Sequence, residues 1–427
     1  MSRVNVVRGM KDVLPADSAH WHHVEDQARA VFEGYGYHEM RTPVLEHTEL
    51  FLRSIGEATD IVEKEMYTFA DRRGRSLTLR PEATASCVRA AVEHSLARGN
   101  DGLRIWYTGP MFRYEKMQKE RYRQFYQLGA EIYAQPDPAA DAEIILITAR
   151  LWRALGLQNV ELQINSLGTR DEQAVYRERL REYLNDHVNE LDEDSRRRLG
   201  SNPLRVLDSK NPALQDLIEA APTPIEALGE SSREHFSQVS EMLASCGVNA
   251  RVNKRLVRGL DYYTRTVFEW VSGSLGSQNA ICGGGRYDRL FEEIGGSDTA
   301  AVGFSAGIER IVAVMLANDQ APATRPADVY MVAVGDAPRA HAHRIAEGLR
   351  DKLAGVRIVV DAADGGFKPK LRRADRSGAP IALVLGDDEL AAECIQVKSM
   401  RNNTQQSVAL ERAAEQITKA LDSLEPR

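Results

Sequence analysis

Cysteine is scarce in this chain of 427 residues, and it has no long apolar run. The four cysteines are scattered, and no two have the spacing of a zinc site or a redox pair: Cys87, Cys246, Cys282 and Cys394. No apolar run is long enough to span a bilayer, and the chain does not start with the apolar core of a signal peptide. We therefore expect a reduced, cytoplasmic protein with no membrane segment and no metal site built from protein ligands alone.

An excess of positive charge is also missing. The chain has 55 lysines and arginines against 62 aspartates and glutamates, which gives a net charge of −7. This excludes a uniformly basic nucleic-acid binder, whereas a local basic patch stays open. The hydrophobic content of 43% is ordinary for a globular protein, and the length predicts two or more domains.

The most informative stretch reads as two strands, residues 109–115 and 124–131, joined by a basic loop at 116–123. Alternate side chains of a strand share a face, which places Arg113 beside Glu115. The second strand places four residues on one face: Phe125, Gln127, Gly129 and Glu131. Such a set makes a poor apolar core but a good pocket for a flat, charged ligand. A solvated sheet face is the alternative. Gly129 favours the pocket, since a strand glycine often marks the close approach of a ligand.

Hydrophobic periodicity predicts a first domain, residues 1–326, that mixes helices with antiparallel strands. Helices are expected at 18–33, from Pro81 to about Leu96 with Glu82 in the first turn, and at 139–155. Strands are expected at 37–42, in a hairpin at 65–80, and at 103–114, 124–134, 250–257 and 266–272. Residues 171–245 are rich in charge and helix formers and are broken by prolines, which predicts a small helical insertion.

The rhythm changes after a linker at 319–326. Apolar runs at 329–334, 356–360 and 381–385 alternate with helical segments at 340–353 and 370–376. This pattern predicts a doubly wound α/β domain at residues 327–427. Five basic residues cluster within nine positions of it: Lys368, Lys370, Arg372, Arg373 and Arg376. A solvated helix face is the default interpretation of such a cluster, and a contact with RNA phosphate is the sharper one.

Five stretches resemble the class II aminoacyl-tRNA synthetases, and closely the bacterial histidyl-tRNA synthetase family. Three resemble the class motifs: the helix at 18–33 with Tyr37-His-Glu-Met-Arg-Thr-Pro43, Phe112-Arg-Tyr-Glu115 through Phe125, and Gly303-Phe-Ser-Ala-Gly-Ile-Glu-Arg310. Two resemble the histidine-specific motifs: Leu256-Val-Arg-Gly-Leu-Asp-Tyr-Tyr263 and Gly284-Gly-Arg-Tyr-Asp288. The resemblance covers nearly the whole chain. It implies an antiparallel-sheet catalytic domain with a helical insertion, followed by an anticodon-binding α/β domain.

The resemblance implies that histidine is activated with ATP to an adenylate and then passed to the terminal ribose of the histidine tRNA. Fixed cations suit a reaction that builds charge on phosphate. By resemblance Arg113 contacts the α-phosphate, Arg121 and Arg310 contact the γ-phosphate, Phe125 and Arg310 sandwich adenine, and Glu115 reads the amino edge of adenine. Arginine suits such positions because its planar fork can hold two phosphate oxygens. Mg²⁺ is expected with the ATP.

By the same resemblance, Glu82, Thr84 and Gln127 hold the α-amino group of histidine. Glu131 and Tyr263, with Tyr262 beside it, form the imidazole site. A carboxylate can accept from one ring nitrogen while a phenol donates to the other. Arg258 is similar to the arginine that lies against the substrate carboxylate and the α-phosphate, where other class II enzymes often have a metal.

The resemblance also implies a homodimer, formed through the first class motif, and tRNA contacts in two places. Lys116 and Gln118 lie in the loop that meets the acceptor end, and Lys368, Lys370, Arg372 and Arg373 are expected to meet the anticodon region. Lys116 departs from the arginine expected there, and Arg289 has no assigned role. Two alternatives stay open: a catalytically inactive regulatory subunit of ATP phosphoribosyltransferase, and an RNA-sensing module without catalysis.

Overall fold

The structure is a computed structural model. It describes residues 4–56, 59, 61–99, 102–116, 120–201, 203–207, 209, 211–276, 279–320, 327–361, 363 and 365–423. The chain forms two compact units, the first ending at Pro322 and the second beginning at Ala323. The sequence prediction put this boundary after Pro326.

The first unit is built on a large, mostly antiparallel sheet. Its strands are β1 His38–Glu39, β2 Leu45–His47, β3 Tyr67–Ala70, β4 Ser76–Leu79, β5 Leu103–Phe112, β6 Gln124–Tyr133, β7 Glu161–Ser166, β8 Ala250–Val252, β9 Thr264–Val271, β10 Ala280–Arg286 and β11 Ala301–Gly307. Eight of them form the main sheet in the order β1-β5-β6-β11-β10-β9-β7-β8, and β2-β4-β3 form a small separate sheet. The outermost pairs, β1 with β5 and β7 with β8, are parallel.

Helices cover one face of this sheet and extend from its edges. They are α1 Pro15–Gly34, α2 Thr48–Ile55, α3 Thr84–Glu93, α4 Pro138–Ala154, α5 Arg170–Asp186, α6 Glu193–Ser201, α7 Gln215–Ala220, α8 Glu230–Ser245, α9 Leu290–Glu293 and α10 Ile308–Ala317. Apolar side chains of α1, α4, α8 and α10 form one core with the sheet. None of the described helices combines the length and the hydropathy needed to cross a membrane.

Helix α3 begins three residues later than the sequence predicted. Pro81 and Glu82 precede the helix, which starts at Thr84. The Glu82 carboxylate accepts hydrogen bonds from the backbone N–H groups of Thr84 and Ala85, at 2.7 and 2.9 Å. It therefore satisfies two of the donors that a helix leaves open at its N-terminus, which fixes the helix start after Glu82.

The predicted helical insertion contains two kinds of helix. Residues between Tyr176 and Ala221 form a separate apolar cluster of their own. Helix α8 lies at the end of the predicted range, but its residues Phe236, Val239 and Leu243 belong to the core of the main sheet. The part of the insertion with its own core is therefore shorter than 171–245.

The second unit is a five-stranded sheet with helices. Its strands are β12 Val329–Ala333, β13 Ile358–Val360, β14 Ile381–Leu385, β15 Cys394–Ser399 and β16 Gln405–Ala409, and its helices are α11 Asp336–Lys352, α12 Phe367–Arg376, α13 Asp387–Ala391 and α14 Ala413–Asp422. The order is β13-β12-β14-β15-β16. The first three strands are parallel, as the doubly wound prediction requires. The antiparallel hairpin β15–β16, which extends the sheet, was not predicted.

Candidate active site

A cavity of about 270 Å³ lies on the open face of the main sheet, at the ends of β6, β10 and β11 and beneath the segment 253–263. Ten of the residues predicted for ATP or histidine line it: Glu82, Arg113, Glu115, Arg121, Phe125, Gln127, Arg258, Tyr262, Tyr263 and Arg310. Thr84 and Glu131 are buried next to it. The sequence therefore predicted side chains that the fold brings together from six different segments.

Glycines of the central strands give these side chains their room. A Cβ on Gly283 would lie 2.3 Å from the Arg258 guanidinium, and a Cβ on Gly303 would lie 1.4 Å from the Glu131 carboxylate. A Cβ on Gly285 would meet the Thr266 carbonyl oxygen at 2.4 Å and the Tyr263 ring at 3.1 Å. Gly283 lines the cavity itself, so the missing side chain of this strand residue forms part of the cavity wall.

The interpretation of Gly129 as a point of ligand approach is wrong. Gly129 pairs with Tyr107 across strands β5 and β6. A Cβ on Gly129 would meet the Tyr107 hydroxyl oxygen at 2.4 Å and the Phe304 carbonyl oxygen at 2.5 Å. The space above this glycine is occupied by a neighbouring side chain of the protein, which the spacing of one strand does not reveal.

Arg113, Glu115 and Arg121 form a charged group at one end of the cavity. Arg121 donates to Glu115 at 3.0 Å, and Arg113 lies 3.7 Å from the other oxygen of that carboxylate. Arg113 is also held by the Pro81 carbonyl at 2.8 Å, and its guanidinium lies 5.3 Å from the centre of the Phe125 ring. Both cations are thus fixed in place while facing the cavity, as a site for an anion requires.

Arg258, from the segment 253–263, also lines the cavity and forms an ion pair with Glu269 of β9. Burial, the largest single effect, disfavours the cation, but the charge of Glu269 and the smaller electrostatic effects of Tyr263 and other neighbours together raise the pKa of Arg258 above its usual value. Its Nε atom is buried and has no hydrogen-bond partner. Arg258 therefore stays charged at every physiological pH and keeps one donor unused.

Arg310 ends the motif that begins at Gly303, lies in the first turn of α10 and donates to the Ala280 carbonyl. Burial, with a smaller contribution from the charge of Arg121, lowers the pKa of Arg310 below its usual value. The lowering reflects repulsion between cations and a partly dehydrated site. An anion bound between Arg310 and Arg121 would relieve both effects.

Glu82 and Gln127 face the middle of the cavity. Glu82 is 4% exposed, and burial raises its pKa, although the hydrogen bonds from Ala85 and Thr84 oppose this. The side-chain oxygen of Gln127 is buried without a partner. A carboxylate and an unpaired amide oxygen at one wall are acceptors that match an ammonium group.

Glu131 is fully buried beneath the cavity. One of its oxygens accepts from the Thr84 hydroxyl at 2.9 Å, and the other accepts from the Tyr287 hydroxyl. Burial raises the pKa of Glu131 to about 8, although the hydrogen bonds from Tyr287 and Thr84 oppose the rise. The group can therefore hold or release a proton near neutral pH.

Three tyrosine rings pack near Glu131, in the part of the site that the sequence predicted to bind the imidazole ring. The Tyr262 and Tyr263 ring centres are 4.6 Å apart, and Tyr287 lies 5.4 Å from Tyr262. Burial raises the pKa of Tyr263, and the charge of Arg258 partly opposes the rise. All three phenols therefore keep their protons at neutral pH and can donate hydrogen bonds.

Tyr287 and Glu269 were not predicted as site residues. Tyr287 lies two positions after Gly285, so the strand period gives it the cavity face and could have found it. Glu269 is the single charged residue between apolar neighbours of β9, and it pairs with Gly283 across the sheet. A lone carboxylate in an otherwise buried strand was the available indication.

Arg286 fixes the position of Tyr287. It is 1% exposed, and all five of its N–H donors are used by Asp141, Asp288 and the carbonyls of Gln135 and Asp137. Such a fully paired guanidinium is rigid. The residue next to it, Tyr287, therefore presents its hydroxyl to Glu131 from a fixed backbone.

The residues predicted to contact tRNA differ in their exposure. Lys116, Lys368 and Arg372 are exposed, whereas Gln118 lies outside the described residues. Lys370 is fully buried, which contradicts a contact with RNA phosphate, because the helical period turns it toward the sheet together with Ala374. Arg373 is half-buried and forms an ion pair with Asp361 at 2.9 Å.

No group of three or more His, Cys, Asp or Glu side chains in the described ranges is arranged to hold a metal ion. The carboxylates of the cavity are Glu82, Glu115, Glu120, Glu269 and Glu309. Two of them are paired with arginines, as described above. The cavity therefore contains fixed charges of both signs.

Comparison with known proteins agrees with the geometry. The family model described as "Histidyl-tRNA synthetase" matches residues 9–311, and the model described as "Anticodon binding domain" matches residues 328–420. The chain belongs to the histidyl-tRNA synthetase family. The predicted fold class and the predicted activity, that of a histidine–tRNA ligase, are thereby confirmed.

Solved structures agree with this family. The apo histidyl-tRNA synthetase of S. aureus is 32% identical, with a TM-score of 0.81 over 97% of this chain and 100% of that one. The histidyl-tRNA synthetase of Nostoc sp. is 20% identical, with a TM-score of 0.73 over 98% of this chain and 100% of that one. A Bacillus halodurans protein described as an ATP phosphoribosyltransferase regulatory subunit/histidyl-tRNA synthetase is 23% identical, with a TM-score of 0.64 over 88% and 97%. The last two show the fold alone.

The raised pKa of Glu131 gives the synthetase a pH-dependent stability with a definite sign. Between pH 4.5, the ordinary pKa of a glutamate, and pH about 8, the folded protein holds a proton on Glu131 that the unfolded chain has released. The free energy of unfolding therefore falls as pH rises through this window, and it levels off above it.

We expect the Glu131→Gln variant to lack this decrease, because glutamine does not titrate. Urea unfolding of both proteins at pH 5.5, 6.5 and 7.5 measures the difference, in which all other groups cancel. The variant should gain stability relative to the wild type with each step. A difference that stays constant across the three pH values would contradict the buried, protonated state of Glu131.

Proposed function

We propose that the residues of this cavity carry the activation of L-histidine with ATP, and that the histidyl group then passes to the histidine tRNA. The single observation that supports this assignment is that the predicted ATP residues and the predicted histidine residues line one cavity. Arg113, Arg258, Glu82 and Gln127 all line it. A phosphate held by the two arginines and an amino group held by Glu82 and Gln127 would therefore occupy the same cavity.

The proposed roles follow the chemistry of each wall. Arg113 and Arg258 stabilise the charge that develops on the α-phosphate, and Arg121 and Arg310 hold the terminal phosphates. Adenine stacks on Phe125, with Glu115 at its amino edge. Since ATP is used as its magnesium complex, we propose that Mg²⁺ enters with the phosphates.

The histidine side is proposed to work by matching donors with acceptors. Glu82, Thr84 and Gln127 take the ammonium group. Glu131 and Tyr263 take the two imidazole nitrogens, with Tyr262 and Tyr287 closing the wall. A side chain without ring nitrogens leaves these buried groups unpaired, and this gives strong rejection of other amino acids.

The alternative of an inactive regulatory subunit is disfavoured by the same observation. Arg113, Arg258 and Arg310 face one cavity, and each is held by a carboxylate or a carbonyl. A protein that only binds a partner has no use for three fixed cations around an internal cavity.

The scattered cysteines support a reduced, cytoplasmic location.

We expect Arg258→Ala to lower histidine-dependent pyrophosphate exchange by roughly a hundred- to a thousandfold, the usual scale for one preorganised donor. Arg289→Ala is the matched control, since Arg289 is exposed, pairs with Glu292 at 3.2 Å and does not line the cavity. The control should keep wild-type exchange. A folded Arg258→Ala protein with near wild-type exchange would remove Arg258 from the mechanism.

We propose that residues 327–427 bind the anticodon region, as the match to an anticodon-binding model supports. On helix α12 Lys368, Arg372 and Arg376 are exposed, and we propose Lys368 and Arg372 for the contact, without the buried Lys370. Lys116 and Gln118 are proposed to meet the acceptor end.

The double variant Lys368→Ala/Arg372→Ala should charge tRNA less efficiently, and its charging should depend less steeply on salt, by about two units of the log–log slope. Pyrophosphate exchange should not change, because that step needs no tRNA. Arg344→Ala/Lys352→Ala, on the exposed side of α11, is the control pair. Equal salt slopes for both double variants would place the anticodon contact elsewhere.

A homodimer through α1 and β1 is supported by a second cavity, of about 380 Å³, next to these elements. Trp106 Nε1 and Thr108 Oγ1 are buried on its wall without hydrogen-bond partners. A second copy packed on this face would offer them partners.

Met40 lines the same cavity, so Met40→Glu should shift the protein toward a monomer in light scattering. Val175→Glu, at an exposed apolar residue of α5, should leave the mass unchanged. If Met40→Glu keeps the wild-type mass while the protein stays folded, the interface lies on another face.

A further inference from the structure

The segment 253–263, here named the reader loop, carries Arg258, Tyr262 and Tyr263 but is neither helix nor strand. Within it one backbone bond joins Leu256 to Asn253, at 2.9 Å. The start of the loop is joined to β7, since the Asn253 N–H donates to the Ile164 carbonyl and the Asn165 amide donates to the carbonyls of Lys254 and Leu256, at 3.3 and 3.0 Å. No strand pairing runs along the rest of the loop, so its position also depends on side chains that reach it from elsewhere.

The helical insertion has one anchor at the place where its chain meets the main unit. Its chain leaves through Thr169 and returns through Gly229, and the Glu172 carboxylate joins the two. It accepts from the backbone N–H groups of Thr169 and Gly229 and from the Ser232 hydroxyl, each at 2.6 Å. These donors lower the pKa of Glu172 against the effect of its partial burial, so the anchor is ionised at neutral pH.

The residue next to this anchor holds the end of the reader loop. Gln173 is 5% exposed, and its amide nitrogen donates to the Tyr263 carbonyl at 3.0 Å and to the Gly168 carbonyl at 3.3 Å. Its amide oxygen accepts from Arg177 at 3.3 Å. Gln173 therefore links the first turn of α5 directly to the backbone of a tyrosine on the cavity wall.

The start of the reader loop is held by the same insertion. Arg255 donates to the Pro222 carbonyl at 3.2 Å and to the Glu219 carbonyl. Tyr176 of α5 donates to the same Pro222 carbonyl at 3.2 Å. Both ends of the loop are thus bonded to the base of the insertion, three residues before Arg258 and at Tyr263 itself.

We propose that the insertion positions the reader loop through Gln173 and Arg255, so that these two positioning residues set the affinity of the site for histidine. The inference rests on the proposed histidine-binding role of Tyr263 and Arg258. Neither Gln173 nor Arg255 lines the cavity, so each acts through the loop backbone. Arg258, which is proposed to meet the α-phosphate, lies in the loop, whereas the residues proposed for adenine and the terminal phosphates lie outside it: Glu115, Arg121, Phe125 and Arg310.

The physical consequence is selective. Removing the Gln173 amide leaves the Tyr263 carbonyl buried without its donor. We expect the loop to move so that this carbonyl can accept a hydrogen bond from water. The KM for histidine should rise by roughly ten- to a hundredfold, while the KM for ATP stays within about twofold. A general loss of stability would instead lower the amount of active protein and leave both KM values alone.

The test compares Gln173→Leu with Gln215→Leu in pyrophosphate exchange by the full chain. Gln215 is a matched control, because it also donates its amide nitrogen to two insertion carbonyls, Ser209 at 2.9 Å and Asn211 at 3.2 Å, but touches no part of the reader loop. Only Gln173→Leu should raise the KM for histidine. An unchanged KM in the folded Gln173→Leu protein, or an equal rise in both variants, would overturn the positioning role.

Arg255 provides the second, independent variant. Arg255→Gln should also raise the KM for histidine, and Arg255→Lys, which keeps a donor, should restore part of the affinity. The double variant Gln173→Leu/Arg255→Gln should show less than the product of the single effects, since both act on one loop. Unchanged KM values for both Arg255 variants would overturn the role of Arg255. A wild-type protein without histidine-dependent exchange would instead overturn the proposed function.

Discussion

The missing side chains of Gly283, Gly285 and Gly303 are the constraint on which the site depends. These glycines lie on two neighbouring central strands, where glycine weakens a sheet by roughly 0.5–1 kcal/mol at each position. The strands keep them because Arg258, Tyr263 and the Glu131 carboxylate occupy the space that Cβ atoms would fill. The sheet is less stable as a result, but the cavity is deeper. Its charged groups lie below the surface of the sheet, where water is excluded and a fixed charge acts over a longer distance.

Charges buried in this way need partners that are already in place. Glu82 takes two backbone donors of α3, Glu131 takes two hydroxyls, and Arg258 takes Glu269. The pKa directions agree with this arrangement: Arg258 is more basic than usual, while burial still dominates at Glu131. Arg258 is therefore permanently charged, whereas the protonation state of Glu131, beneath the tyrosines, can change near neutral pH. A permanently charged arginine can neutralise phosphate at any pH. A carboxyl group that can gain or lose a proton can match an imidazole ring, which has one donor and one acceptor nitrogen.

The sequence carries most of the fold because its patterns are local. Periodicity and turn residues located the hairpin β3–β4, the pair β5–β6 and the parallel strands β12, β13 and β14. Contacts between distant segments were beyond its reach. The exposed-looking Lys370 is buried by the rotation of α12, and Gly129 makes room for Tyr107 of the next strand. Glu269 and Tyr287 join the site through sheet register, which a single strand does not specify. Most of the site residues were predicted from the resemblance to a family and not from strand patterns, and ten of them line one cavity.

The reader loop shows why an insertion outside the main core can matter to the chemistry. A segment without secondary structure is ordered only as firmly as the groups that hold it, and a single hydrogen bond contributes only about 1 kcal/mol. Local stability varies widely within one protein. If the base of the insertion loosens, the bonds from Gln173 and Arg255 are lost together, and the Tyr263 wall loses its order even though the glycine-lined sheet beneath it is unchanged. The affinity for the amino acid thus depends on two structures of different rigidity: a sheet that fixes the phosphate cations, and an anchored insertion that fixes the side-chain wall.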